Sequence, residues 1–98
     1  MALVTQDVRQ RIDWLLRYLT QEWEAIDEVV AAWGGWSEHD RLDFRLEWPI
    51  KESNLHVLLE HVAQGDLSQR QSQAYDALQR LVDHQRPALE RLLDEDSC

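Results

Sequence analysis

VRQRIDWLLRYLTQEWEAIDEVVAAWGG, residues 8–35, decides the fold. Val8, Ile12, Leu15, Leu19, Trp23, Ile26, Val30 and Trp33 recur at spacings of three and four, so at 100° per residue they form one stripe along a single helix. A second stripe of Trp14, Tyr18, Ala25, Val29 and Ala32 lies roughly 110° around the axis, while Arg9, Asp13, Arg17, Glu24, Asp27 and Glu28 fill the remaining arc. Two apolar stripes predict that this helix is covered by more than one neighbour. Gly34 and Gly35 then offer a left-handed helix stop.

Working outward, the same signals recur. Ser37, with Asp40 three residues on, reads as the N-cap of a second helix. Gly65 repeats the stop, and Ser68 with Gln71 forms a Ser-x-x-Gln capping box that starts a third. No stretch alternates apolar and polar residues over strand length, and β-branched residues are scarce. The spacing therefore predicts an all-α, up-down-up bundle of three long helices over about 6–33, 38–64 and 68–94, in one domain spanning residues 1–98. Phe44, Trp48, Leu55, Leu58, Leu59 and Val62 keep one phase across Pro49, and Leu78, Leu81, Val82, Gln85, Leu89 and Leu92 keep one phase across Pro87. An interior proline costs about 3 kcal/mol, so kinks or breaks are expected near 45–49 and 83–87. The alternative is four helices, split at Trp48-Pro49 because the residue before a proline is biased away from helix.

Composition bounds the function. A net charge of −9, distributed as −3 over residues 1–36, −4 over 37–66 and −2 over 67–98, repels phosphate backbones and argues against nucleic acid or an anionic membrane as partner. Nine of the ten cations are arginine, with Lys51 the one lysine, so no lysine-rich stripe tracks a backbone. The single cysteine, Cys98, has no intramolecular partner, which points to a reducing cytoplasm. The longest apolar run, Val29 to Trp33, is too short to span a bilayer, and no leader peptide is apparent.

Candidate chemistry is sparse. His39, His56, His61 and His84 lack ligand spacing, and no Glu-x-x-His pair exists for a di-metal centre. Glu52, His56 and Glu60 share one helical face, which reads more simply as solvated i,i+4 pairs than as a metal site. Ser37 and Ser68 are explained as caps, and no glycine-rich loop cradles a phosphate. Leu67-Ser68-Gln69-Arg70-Gln71 resembles the opening of many helix-turn-helix segments, but over five residues only, and one long amphipathic pattern follows it. The expectation is a protein that is not an enzyme and holds neither metal nor other cofactor.

Binding remains. Trp33, Trp36, Phe44 and Trp48 gather at one corner, either as a plug closing the bundle or as a docking patch. Trp36, in the turn before Ser37, is the interface candidate within that corner. Glu22, Glu24, Asp27 and Glu28, continued by Glu38, Asp40 and Asp43, form an acidic arc that would steer a basic protein toward it. The most concrete function is a homodimerising interaction module; the alternative is an acidic adaptor or inhibitor binding a basic partner protein through the aromatic and acidic face. In the dimer, two first helices cross antiparallel between Leu16 and Arg17, so that Arg11 of one chain faces Glu22 of the other with Trp14 and Tyr18 packed between.

Overall fold

The computed structural model describes residues 6–94, and every element in that span is helical. Helix α1 runs Gln6–Glu24 and α2 Ile26–Ala32, followed by a single 3₁₀ turn at Trp33–Gly35; α3 spans Glu38–Ala63 and α4 spans Gln69–Asp94. Helices α1 and α2 form one rod. Ala25 between them stays in the right-handed helical region at φ −68, ψ −12, and the ladder continues through it, Ala25 N–H donating to Gln21 O at 3.1 Å and Val29 N–H to Ala25 O at 3.0 Å. The chain is thus an all-α bundle of three long rods, the first antiparallel to α3, as Glu22 to Lys51 and Trp33 to Phe44 require, and parallel to α4, as Asp13 to Gln71 and Trp23 to Gln85 require.

Neither proline breaks its helix, so the four-helix alternative is not favoured. Pro49 and Pro87 both lie on exposed positions inside continuous helices. On that side the carbonyl robbed of its donor can turn to water, and the pyrrolidine ring displaces no core atom.

The stops are built differently from each other. Gly65 has φ +74, and around it Asp66 N–H reaches His61 O while Gly65 N–H reaches Val62 O, both at 3.1 Å, the pair of bonds that closes a Schellman motif. An imidazole-to-carboxylate contact between His61 and Asp66 at 2.9 Å fastens the same turn. At the other stop the left-handed expectation fails: neither Gly34 nor Gly35 has positive φ. The chain instead tightens into the 3₁₀ turn, Trp36 N–H donating to Trp33 O, and leaves through Trp36 in an extended conformation. What ends this rod is a cation. Arg41 donates from Nε and Nη2 to Trp33 O at 3.1 and 2.8 Å, satisfying the terminal carbonyl with a charge of favourable sign.

Both predicted caps form. Ser37 Oγ accepts from Asp40 N–H at 3.1 Å. The Ser68 box closes in both directions, Gln71 N–H donating to Ser68 Oγ and Ser68 N–H to Gln71 Oε1. Gln71 then does a second job: its Nε2 donates to Arg9 O and Asp13 Oδ1, tying the start of α4 to α1 and explaining why this amide is buried.

The core is a single cluster in which Ile12, Leu15, Leu16, Leu19, Trp23 and Ile26 of the first rod meet Trp48, Leu55 and Leu58 of α3 and Leu78, Val82 and Leu89 of α4. Leu16 adds to the predicted stripe. Val30, expected inside, is 43% exposed although Ile26 and Trp33 of the same stripe are buried.

Candidate functional site

A continuous ladder of rings runs from the core to one end of the bundle. Trp23 meets Trp48 edge-on at 5.2 Å, Trp48 stacks on Phe44 at 5.5 Å, and Phe44 meets Trp33 at 5.5 Å and Trp36 at 6.1 Å, both edge-on. Trp33 and Trp36 close the end at 5.5 Å. Charges line it throughout: Arg86 lies over Trp23, Lys51 over Trp48, and Arg41 and Arg45 over Trp33, all within 5.8 Å of a ring centre. Trp48 Nε1 donates to Glu52 Oε1, which also accepts from Arg86 Nη1. Trp33 and Trp48 are buried, so this part of the corner is a plug, whereas Trp36 remains half-buried, as its turn position predicted.

The cations sit on one side of this end, over Trp33. On the other side, Trp36 and Phe44 share a pocket of about 330 Å³ with Asp40, Asp43 and Glu47. The three carboxylates are spaced i, i+3, i+7 on α3 and form one edge of that helix. The first two were read from the sequence as acidic steering residues; Glu47 extends the row.

Beside that edge lies the feature that sequence reasoning missed. Leu42, Leu46 and Ile50 are 46%, 65% and 62% exposed, at spacing i, i+4, i+8, on a helix whose opposite side, through Trp48, Leu55 and Leu58, already fills the core. Helix α3 is apolar on two opposite faces and has a neighbour on only one. By contrast, the outer face of α4 carries Arg70, Gln73, Asp76, Arg80, Asp83 and Glu90. The signal was present in the sequence as apolar residues in the arc left over once the Phe44 stripe was assigned.

The proposed α1 interface looks different in three dimensions. Arg11 is exposed and bears no burial cost. Glu22 pairs with Lys51 of its own chain, Nζ to Oε2 3.8 Å. The charge that called for a second molecule is therefore already met by α3, and the premise of the Arg11-to-Glu22 pairing falls away. Trp14, 50% exposed, stacks face-to-face on Tyr18 at 5.0 Å with 4° between planes, and Tyr18 in turn bonds to Asn54.

Partial burial, then the Glu22 carboxylate, raises the Tyr18 phenol above the ordinary value of 10.0, with Glu47 adding to the effect and the Asn54 bond opposing it. Tyr75 is raised for the same first reason, helped by Asp76 and Asp83. Both rings resist ionisation in the folded chain, so their contribution to stability is present below pH 10 and is lost as pH rises through the folded values. Phenolate absorbance should titrate with a midpoint above that of free tyrosine in native protein and return to about 10 in denaturant. A native midpoint at or below 10 would contradict the packing described for these rings.

Glu52, His56 and Glu60 do not converge. Glu52 turns inward to Trp48 and Arg86, while His56 and Glu60 form an exposed pair at 3.3 Å. Among the described residues no group of three or more His, Cys, Asp or Glu side chains could hold a metal ion. Cys98 lies outside the described residues. Among the described residues, no helix is long and apolar enough to cross a membrane. The Leu67–Gln71 segment leads into the single 26-residue helix α4, and among the described residues no second turn follows it. No known protein family, curated protein or solved structure matches the chain.

Proposed function

We propose that the domain is a non-catalytic protein–protein interaction module whose docking surface is the outer face of α3. One observation carries this reading: Leu42, Leu46 and Ile50 stand exposed in a row on a helix whose other face completes the core. Contiguous exposed aliphatic residues that packing does not require mark interaction surfaces. A reducing cytoplasm fits the single cysteine.

Homodimerisation is one form of this function, and the exposed row favours α3 over α1 as its seam. The chain's charge of −9 and the carboxylates beside the apolar row favour the other form, an acidic adaptor or inhibitor that takes a basic partner. Leu46→Asp tests the surface. The substitution sits on solvent-exposed helix, so helicity and unfolding midpoint should stay within about 1 kcal/mol of wild type. Complexes recovered by in-cell crosslinking of the wild-type chain should disappear. Crosslinked species that survive the substitution at wild-type yield would remove α3 from consideration.

A further inference from the structure

Resting on that docking surface, we infer that the occupant is a basic amphipathic helix of another protein, laid along α3 with its apolar side on Leu42, Leu46 and Ile50 and a cationic side chain in the Trp36–Phe44 pocket. Three observations select it over a second copy of this chain.

The first is area. The three side chains expose on the order of 300 Å², the size of the largest apolar patch on a typical monomer and short of the roughly 800 Å² per partner of a standard stable interface. A helix of three or four turns covers such a row; a stable dimer needs more. The second is the charge on the edge of the row. Asp43 and Glu47 each follow an apolar residue of the row by one position, which sets their carboxylates alongside it, and Asp40 extends the edge toward Trp36. In a two-fold antiparallel pair of α3 helices crossing near Leu46, like edges meet, so the acidic edge of Asp43 and Glu47 on one copy would lie against the same edge of the other. In a parallel pair the acidic edge would meet the flank of Arg45 and Pro49, but Arg45 is already held over the Trp33 ring at 5.8 Å.

The third is how this end of the bundle distributes its cations. Arg41 and Arg45 serve Trp33, so the rings of the pocket, Trp36 and Phe44, combine π faces with three carboxylates and no cation of the chain among the pocket residues. His39 reaches Asp43 at 3.4 Å from the exposed side and adds positive charge only when protonated. An arginine side chain suits such a site, because its planar guanidinium can stack on an indole while donating to carboxylates. Helix-in-groove docking supplies the rest, with partner anchors at i, i+4 and i+7 on the aliphatic row.

The test uses the intact chain and two fluorescent peptides. One is an amphipathic helical peptide of four turns with leucines on one face and arginines along one edge; the other is identical with glutamate in place of arginine. By anisotropy the arginine peptide should bind with micromolar affinity, and the glutamate peptide at least about tenfold more weakly. Asp43→Lys with Glu47→Lys should weaken the arginine peptide about tenfold and strengthen the glutamate peptide, while Leu46→Asp should weaken both and Trp36→Ala the arginine peptide preferentially. Circular dichroism confirms that each variant keeps its helicity. If both peptides bind the wild type alike, or neither does at about 100 µM, the basic-helix inference is wrong, as it also is if sedimentation shows a wild-type dimer that Leu46→Asp dissociates. The two claims fail separately: loss of the crosslinked complex with Leu46→Asp, combined with no preference between peptides, keeps the docking surface and discards the basic helix.

Discussion

Trp23→Ala should remove about 3–5 kcal/mol of stability, a large share of the 5–15 kcal/mol expected for a domain of this size. The indole is 1% exposed at the centre of the molecule, in edge-to-face contact with Trp48, with Arg86 over the ring and the aliphatic core around it. Three rods converge there, so the cavity left by truncation cannot be filled by moving one of them alone. At roughly 4–8 °C per kcal/mol the unfolding midpoint should fall far enough to be unmistakable by calorimetry. Trp23→Phe should behave otherwise. The buried Trp23 Nε1 meets no acceptor among the described residues, and an orphaned buried donor costs about 1–3 kcal/mol. Phenylalanine relieves that cost while keeping most of the packing, so its net effect should be about 1 kcal/mol or less. A phenylalanine variant as unstable as the alanine one would show that the indole nitrogen is bonded after all.

Trp33→Ala should cost about 3–5 kcal/mol as well, for a different set of contacts. Its ring is the point at which the 3₁₀ turn, Phe44, Trp36 and the guanidinium groups of Arg41 and Arg45 meet. Truncation removes the platform on which two arginines rest while leaving the Arg41 bonds to the carbonyl available. Trp36→Ala, on a half-buried ring at the edge of the same cluster, should cost about 1 kcal/mol. Chemical denaturation of the two variants checks the contrast. Equal losses would mean that Trp36 belongs to the plug, and the pocket beside it would lose its standing as a docking site.

The long-range plan of the molecule could be read from residue spacing because it rests on signals a few residues long. Phase across Pro49 and Pro87 predicted continuous packing faces, and Ser37, Ser68 and Gly65 marked their boundaries for reasons of local hydrogen bonding that the folded chain repeats. Gly34 and Gly35 misled because the same residue type also serves a 3₁₀ turn, and the capping group that mattered, Arg41, lies eight residues from the carbonyl it satisfies. The site was harder for a related reason. Glu22 looks isolated on its own helix; Lys51, its partner, comes from another. Whether an apolar row faces a neighbour depends on how many helices are present to cover it, and Leu42, Leu46 and Ile50 became conspicuous only when the two other rods proved to cover one side of α3.

The ring ladder also gives the protein an optical signature of its own folding. Trp23, Trp48, Trp33 and Trp36 belong to one network of ring contacts, leaving only Trp14 outside it. Indole transitions this close and held at fixed mutual angles couple to one another, so the near-ultraviolet circular dichroism carries a term that depends on ring geometry and not on helix content. A state that kept its helices but loosened its interior would lose this coupling while its far-ultraviolet spectrum stayed nearly unchanged. Nature has thus placed in the chain, without any added label, a chromophore array that distinguishes a packed bundle from a merely helical one.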